Sequence, residues 1–492
     1  MSERSINISL IALSAFAAGI GGILFGYDTA VINGANTSLQ EFFGLDKDKD
    51  AFLIGLVTSS AIIGCIPGAL LAGFISDRIG RKKVLFMSAL LFSVSAIWSA
   101  FPGSLTLFLV ARFIGGLGIG FASVVCPIYI AEISPPAWRG RLGALFQLGI
   151  VFGIAITLYI NKMIHELGTK QWNVDWGWRW MIGSEIIPAA LFVVLLIMVI
   201  ESPRWLIQSG NEDKARDILT RIGGDSYASE EIEAVNEALT LEEGKFSELF
   251  QRTYSRPLII AIAVTFGAQL SGINAIMYYS TEIFKEAAAN TAANTADNTA
   301  DKATADKVDA AKAKAAFTYS AWIGLANLLA TFVAIALVDR IGRKPLMLFG
   351  NAIQVVALVS VGLLFFFYKD SLPLDLLFGF VILYTVSFAV AMGPIPWILC
   401  SEIFPARLRG RAMSIAAFCI WVGCLSVTQT VPIMLSKLGP HITFWIYGTC
   451  SALTFIFVLL VIPETKGKSL EEIEKSWISQ RRDSPEFKGD HA

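Results

Sequence analysis

Apolar residues fall in long unbroken blocks separated by short polar loops, and this alternation runs along almost the whole chain. Residues 186–200 (IIPAALFVVLLIMVI) and 451–463 (SALTFIFVLLVIP) carry no charge, and with their flanks each reaches the roughly 20 residues that cross about 30 Å of hydrocarbon. About twelve such blocks occur, centred near residues 20, 64, 92, 117, 151, 190, 270, 328, 356, 388, 422 and 452. Backbone polar groups in lipid must bond within their own segment, so each block predicts a helix. The first, from Ile6 to Ile32, is too long for a cleavable signal and lacks a clear small-residue cleavage site, and it is read as the first span.

The fold class that follows is an all-α membrane protein of twelve transmembrane helices. Residues 1–203 form one six-helix bundle and 253–466 a second, with a short tail at 467–492. Between them, 204–252 is polar and carries Glu212, Asp213, Lys214, Arg216 and Asp217 at helical spacing, which predicts two or three short surface helices. Residues 287–316 are a near-repeat of Ala, Asn, Thr, Asp and Lys, expected to be a mobile outer loop, helical when ordered, with no part in the chemistry.

Composition sharpens the class. Of 492 residues 55% are hydrophobic and 16% charged, where a soluble domain carries about a quarter charged. A net charge of −1 gives no reason to expect nucleic acid. The six cysteines lie in apolar stretches without metal-like pairing and read as small fillers; no cofactor is implied. Basic residues concentrate in alternate loops: Arg78, Arg81, Lys82 and Lys83; Arg139 and Arg141; Arg340, Arg343 and Lys344; Arg407, Arg409 and Arg411. The positive-inside rule then puts these loops, the linker and both termini in the cytoplasm of a cell-membrane protein. The first outer loop holds Asp46, Asp48 and Asp50 interleaved with two lysines, and Asn36-Thr37-Ser38 matches a glycosylation acceptor, a motif common by chance.

The two halves repeat each other. Ser76-Asp77-Arg78-Ile79-Gly80-Arg81-Lys82 recurs as Val338-Asp339-Arg340-Ile341-Gly342-Arg343-Lys344. Ala131-Glu132-Ile133-Ser134-Pro135, followed by Arg139-Gly140-Arg141, recurs as Ser401-Glu402-Ile403-Phe404-Pro405, followed by Arg409-Gly410-Arg411. Two parallel six-span repeats are a transporter plan in which the substrate sits near the midplane and one half rocks on the other. Each repeated loop sets an acid and an arginine seven residues apart (Glu132 and Arg139, Glu402 and Arg409), and Glu201, Arg204 and Glu464 add further charges. Such pairs are expected to form a cytoplasmic gate that includes Arg81 and Arg343; the alternative, that the charges only set topology, leaves the accompanying acids unexplained.

Ionisable groups within spans are costly, at roughly 3 kcal/mol each on insertion scales, and mark function. Asp28 and Arg112 both lie about 12 Å below the outer ends of the first and fourth spans, at 1.5 Å per residue, and Glu185 of the sixth is only slightly shallower. Three ionisable groups at one level suggest a cluster. An arginine neighbour keeps a carboxylate ionised and burial away from water favours the protonated form, so a cycle that parts Arg112 from Asp28 would load a proton. A static ion pair that locks the helices is the alternative.

From about residue 8 to 475 the chain resembles the sugar porter family of the major facilitator superfamily. Its motifs are Phe25-Gly26-Tyr27-Asp28, Asp77-Arg78-Ile79-Gly80-Arg81, Glu201-Ser202-Pro203-Arg204-Trp205, Gln269-Leu270-Ser271-Gly272-Ile273-Asn274 with Tyr278-Tyr279, Gly393-Pro394-Ile395-Pro396-Trp397 and Pro463-Glu464-Thr465-Lys466-Gly467. The resemblance implies a major facilitator fold and a sugar site. In it Gln147, Gln269, Asn274 and Asn327 match sugar-binding amides, Trp397 the tryptophan that packs on the ring, and Phe25, Ile154, Tyr278 and Trp421 its apolar or gating neighbours. It also implies a seventh span broken near Gly272. Amides supply donors and acceptors to hydroxyls, and an aromatic face covers the apolar side of a sugar. Two positions depart from the pattern: Ala268 and Ile420 stand where many members carry amides, so two sugar hydrogen bonds are lacking. Proton-coupled members tend to have an aspartate at the Asp28 position.

The reading is therefore a monosaccharide–proton symporter, working by alternating access, a functional monomer among membrane lipids and not an enzyme. A facilitative sugar or polyol uniporter is the rival. A non-transporting sugar sensor is the other, but the tail after about residue 464 is short for signalling.

Overall fold

In the computed structural model the chain is described over residues 7–135, 138–240, 246–293, 302–368 and 372–466. Among these, eleven helices are long and apolar enough to cross a membrane. They begin with α1 (Ile8–Phe43), α2 (Ala51–Ile79), α3 (Arg81–Ala100), α4 (Leu105–Ile133), α5 (Arg139–Leu167) and α6 (Lys170–Met198). Two linker helices follow, α7 (Pro203–Gln208) and α8 (Glu212–Thr240), the latter bent at Gly224. The seventh span is split into α9 (Arg252–Leu270) and α10 (Ile273–Ala293), with Gly272 between them at φ 91°. Then come α11 (Lys302–Ile341), α12 (Arg343–Phe367), α13 (Leu374–Val390), α14 (Ile395–Glu402) and α15 (Ala406–Val461). Gly439, at φ 78°, breaks α15 in two, so the eleven apolar helices supply twelve crossings.

The helices group into two compact units. Among the described residues, one holds those within 7–240 with 277–286 and 302–324; the other holds those within 246–276, 287–293 and 325–466. In the first unit, paired glycines let helices touch backbone to backbone. A Cβ on Gly26 would stand 1.9 Å from the Ile150 carbonyl, and one on Gly153 would stand 2.2 Å from that of Ile23, so α1 and α5 cross at contact distance. Gly64 and Gly116 do the same for α2 and α4. With no hydrophobic drive between helices in lipid, such close packing supplies dispersion contact instead.

The linker has its own small core of Leu206, Ile207, Ala215, Leu219, Ala228 and Ile232. Three sequence features take definite form. Asn36 lies inside α1, fully buried, and its amide donates to Glu282, so it is no exposed acceptor for a glycan. The low-complexity stretch is helical on both of its described sides, through Ala293 and again from Lys302; 294–301 lie outside the described residues, as do 467–492. The acidic run is a turn: the Asp46 carboxylate accepts from the backbone N–H of Lys49 and Asp48, which holds it below the usual carboxylate range.

Candidate functional site

In the first unit, α1, α4 and α6 bring three ionisable side chains together in a place without water access: Asp28, Arg112 and Glu185 are each 1% exposed. The Arg112 guanidinium grips Asp28 with both terminal nitrogens: Nη1 contacts Oδ1, and Nη2 lies 3.2 Å from Oδ2 and 3.3 Å from the Asp28 carbonyl. Glu185 sits beside both. Neither of its oxygens meets a hydrogen-bond donor among the described residues. Two ionised carboxylates only accept; Glu185 and Asp28 can bond to each other only when one carries a proton. Local structure places Glu185 there, because the sixth span is interrupted at Ser184-Glu185 and has a π-helical turn at Asn173–Gly177. Tyr27, next to Asp28, ties this break to α1 through a 2.6 Å bond to Ser184.

The amide and aromatic positions divide between the units. In the first, Gln147 is half-buried, Phe25 half-buried, and Ile154 and Tyr278 buried. In the second, the Asn274 amide donates to Gln269 Oε1 at 2.7 Å across the Gly272 break. Asn327 and Trp421 are buried, whereas Trp397 is 37% exposed. A Cβ on Gly272 would meet the Tyr447 ring at 2.7 Å, and its left-handed φ suits glycine, so the break is built into the sequence. Ala268 and Ile420, the two departures, offer no polar group.

The charged loop motifs build one constellation twice. In the first unit Arg81 holds Glu132 with Nε and Nη2 at 2.9 and 3.0 Å, and Ser202 donates to the same carboxylate at 2.6 Å. In the second, Arg343 Nη2 bonds Glu402 at 2.8 Å and Thr465 donates at 2.6 Å. Pairs form between loops as well as within one, where Arg81 Nη1 lies 3.0 Å from Asp77. Glu132 and Glu402 reach Arg81 and Arg343 of another loop, because a helix end aims its side chains at neighbours in space. On Arg409, Nε and Nη2 find no partner among the described residues; the Arg139 side chain lies outside them. Glu201 and Arg204 do not pair either. Glu201 Oε1 accepts from the backbone N–H groups of Arg81 and Lys82, at 3.1 and 3.0 Å, and so caps the start of α3, while Arg204 is exposed. Glu464 caps α12 in the same way, through Arg343 N and Lys344 N. Gly80 and Gly342, at φ 101° and 105°, precede these helices, and a Cβ on either would stand 2.5 or 2.8 Å from the capping carboxylate. Ser202, Thr465 and the capping role are not apparent from motif spacing; the clue lies in the matching order Glu-Ser and Glu-Thr after the sixth and twelfth spans.

Comparison with known proteins supplies the context. A family profile described as Sugar (and other) transporter matches residues 14–477. The arabinose-proton symporter of Bacillus subtilis (strain 168) is 40% identical over 478 residues, covering 96% of this chain and 97% of that protein. The D-xylose-proton symporter of Escherichia coli (strain K12) is 35% identical over 502 residues, covering 96% of each. Among solved structures, the xylose transporter of Escherichia coli in a partially occluded, inward-open conformation superposes with a TM-score of 0.80 at 33% identity, covering 94% of this chain and 100% of that one.

Proposed function

The chain belongs to the sugar (and other) transporter family, and from that premise we propose that it is a sugar–proton symporter that moves a monosaccharide by alternating access. The observation that carries the proton is the buried Asp28–Arg112 pair with Glu185 unpartnered beside it. A carboxylate held only by a guanidinium is neutralised by that partner or by a proton. Movement of Arg112 away from Asp28 exchanges one for the other, and the charge state of the cluster then differs between two conformations, which is what coupling requires.

Gln147, Gln269, Asn274 and Asn327 bind sugar hydroxyls in this reading, Trp397 covers the ring, and Phe25, Ile154, Tyr278 and Trp421 surround it. The mutual bond of Gln269 and Asn274 supports such a role, since both amides can be redirected to a ligand. The two named relatives take arabinose and D-xylose, both pentoses, so pentoses are the first sugars to test. The loop clusters, with Arg81, Glu132, Arg139, Glu201, Arg204, Arg343, Glu402 and Arg409, act as the cytoplasmic gate. Both termini and the linker lie in the cytoplasm, residues 1–203 and 253–466 form the two bundles joined by 204–252, and the protein works as a monomer in the cell membrane without enzymatic chemistry or nucleic-acid partners.

The test is uptake by purified protein in proteoliposomes. Imposing an inward proton gradient should concentrate labelled arabinose or xylose above the outside level, and a protonophore should abolish this. Uptake that only equilibrates, with or without the protonophore, identifies a uniporter and ends the symport reading.

A further inference from the structure

The end of α1 beyond Asp28 carries three amides, Asn33, Asn36 and Gln40, at the i, i+3 and i+7 spacing of one helix face, all buried. All three reach α10. Asn36 and Gln40 donate to the Glu282 carboxylate at 3.1 and 3.5 Å, and Lys47 pairs with it at 3.4 Å. Asn33 does something different. Its Nδ2 donates to the Met277 carbonyl at 2.6 Å and to Ser280 Oγ at 2.8 Å, while its Oδ1 accepts from the backbone N–H of Thr281 at 3.0 Å. Met277 C=O and Thr281 N–H are four residues apart, the pair that an uninterrupted α-helix joins to itself. One side-chain amide therefore bonds both the acceptor and the donor of a single turn of α10, whose helix runs on without a break.

A neighbouring face of α1 is held by α5. Asn161 of α5 donates to the Ala30 and Val31 carbonyls at 3.3 and 3.2 Å, and a Cβ on Gly34 would stand 2.5 Å from its amide nitrogen. The same Ser280 hydroxyl that accepts from Asn33 donates to Ser320 of α11 at 2.9 Å, and Thr281 Oγ1 bonds Ser320 at 3.0 Å. A continuous polar connection thus runs from α5 through α1 to α10 and α11, starting five residues from Asp28.

We infer that Asn33 is a positioning residue for transport: it ties α1, the helix that carries Asp28, to the Met277–Thr281 turn of the seventh span by bonding a backbone carbonyl and a backbone N–H of that turn at once. The inference rests on the transporter reading for its role, but the contact itself is testable without transport. A polar tie of this kind differs from apolar packing in that water can take over every one of its bonds when the two helices part. It holds them when closed and resists opening little. Displacement of α1 on loading Asp28 is transmitted to the outer half of the seventh span through this amide.

The experiment uses the full-length protein reconstituted in liposomes. A cysteine pair, Asn36→Cys with Glu282→Cys, reports the α1–α10 contact by oxidative crosslinking, with each single cysteine as control for the native thiols. Adding Asn33→Leu, which preserves volume and removes both polar groups, is expected to lower crosslinking about fivefold as the closed contact loses population. In the cysteine-free-pair background, Asn33→Leu is expected to lower maximal arabinose counterflow about fivefold with the half-saturating concentration within about twofold, because Asn33 touches helix backbone and not sugar. Crosslinking unchanged overturns the tie whether or not any sugar moves. Half-saturation rising in step with the loss of rate places Asn33 in the sugar site and also overturns it. If the leucine variant does not fold, Asn33→Asp, which keeps the acceptor for Thr281 N–H and turns an oxygen on the Met277 carbonyl, must show the same fall in crosslinking; none overturns the proposal.

Discussion

The loop clusters and the mid-membrane cluster use the same residue types to opposite ends. In the loops, Glu132, Glu402 and Glu464 have donors on both carboxylate oxygens, from arginine, hydroxyl or backbone N–H. In the membrane, Asp28 is gripped by Arg112, and neither oxygen of Glu185 meets a donor among the described residues. A saturated carboxylate has every reason to stay as it is, while a buried one lacking donors gains a hydrogen bond only by taking a proton. The difference supports the proposal that the intramembrane charges change state during the cycle, while the loop carboxylates, with donors on both oxygens, keep theirs. Within the loops a second, smaller gradation exists: side-chain exposure is 7% and 9% for Arg81 and Glu132, but 12% and 24% for Arg343 and Glu402.

The largest expected effect breaks the membrane cluster. With one proton per sugar, a pH difference of one unit supports about tenfold accumulation, since tenfold in proton activity is 1.36 kcal/mol. Asp28→Asn cannot change its charge, so accumulation should fall to the equilibrium ratio while counterflow exchange of labelled sugar persists. Accumulation that survives Asp28→Asn removes the distinction between the two kinds of cluster. Next in size are the arginine–glutamate pairs of the loops. Glu132→Gln leaves Arg81 buried beside a neutral group and should cost about 3 kcal/mol, the lower end for a broken buried pair. Glu402→Gln should cost about 1–2 kcal/mol, because water reaches that pair more easily. Thermal unfolding in detergent reads both, and equal losses would mean that the exposure difference carries no energy.

How much of this was open to reading in the chain itself depends on distance. The spans were legible because each is a long apolar block, including the two centred near residues 422 and 452, which form one helical run in α15 with Gly439 at their boundary. The mid-membrane cluster was legible because depth along a helix is simple arithmetic: 1.5 Å per residue put Asp28 and Arg112 at one level. The loop partners were not. Spacing along the chain joined Glu132 to Arg139 and Glu201 to Arg204, yet Glu132 bonds Arg81, 51 residues away, and Glu201 caps a helix that begins 120 residues earlier. Asn33 was invisible for the same reason: an asparagine on a helix face gives no sign that it will meet the backbone of another helix, 244 residues on.

Gly80 and Gly342 test whether the two loop copies share a plan despite their different exposure. Both have a left-handed φ and both would drive a Cβ into a capping carboxylate, at 2.5 and 2.8 Å. Alanine at either position should cost about 1–3 kcal/mol in backbone strain, and the two losses should match, since neither term depends on water. A mismatch of the size seen for the glutamates would mean that the second copy is looser throughout and not only wetter.

The smallest effect is also the sharpest. Ser202 and Thr465 donate to their glutamates at the same 2.6 Å, Ser202 to the oxygen that also accepts from Arg81 Nε and Thr465 to the oxygen that Arg343 Nη2 does not bond, so distance alone predicts equal worth and burial predicts otherwise. Ser202→Ala leaves Glu132 Oε2 with Arg81 Nε as its remaining donor in a nearly closed site, and a hydrogen bond to a charged group there is worth about 1.5 kcal/mol or more. Thr465→Val leaves Glu402 Oε2 where water can replace the hydroxyl, and the loss should stay below about 1 kcal/mol. If the valine variant loses as much as the alanine variant, water does not reach Glu402, and the loop clusters are equal locks whose only asymmetry is in how much of their surface shows.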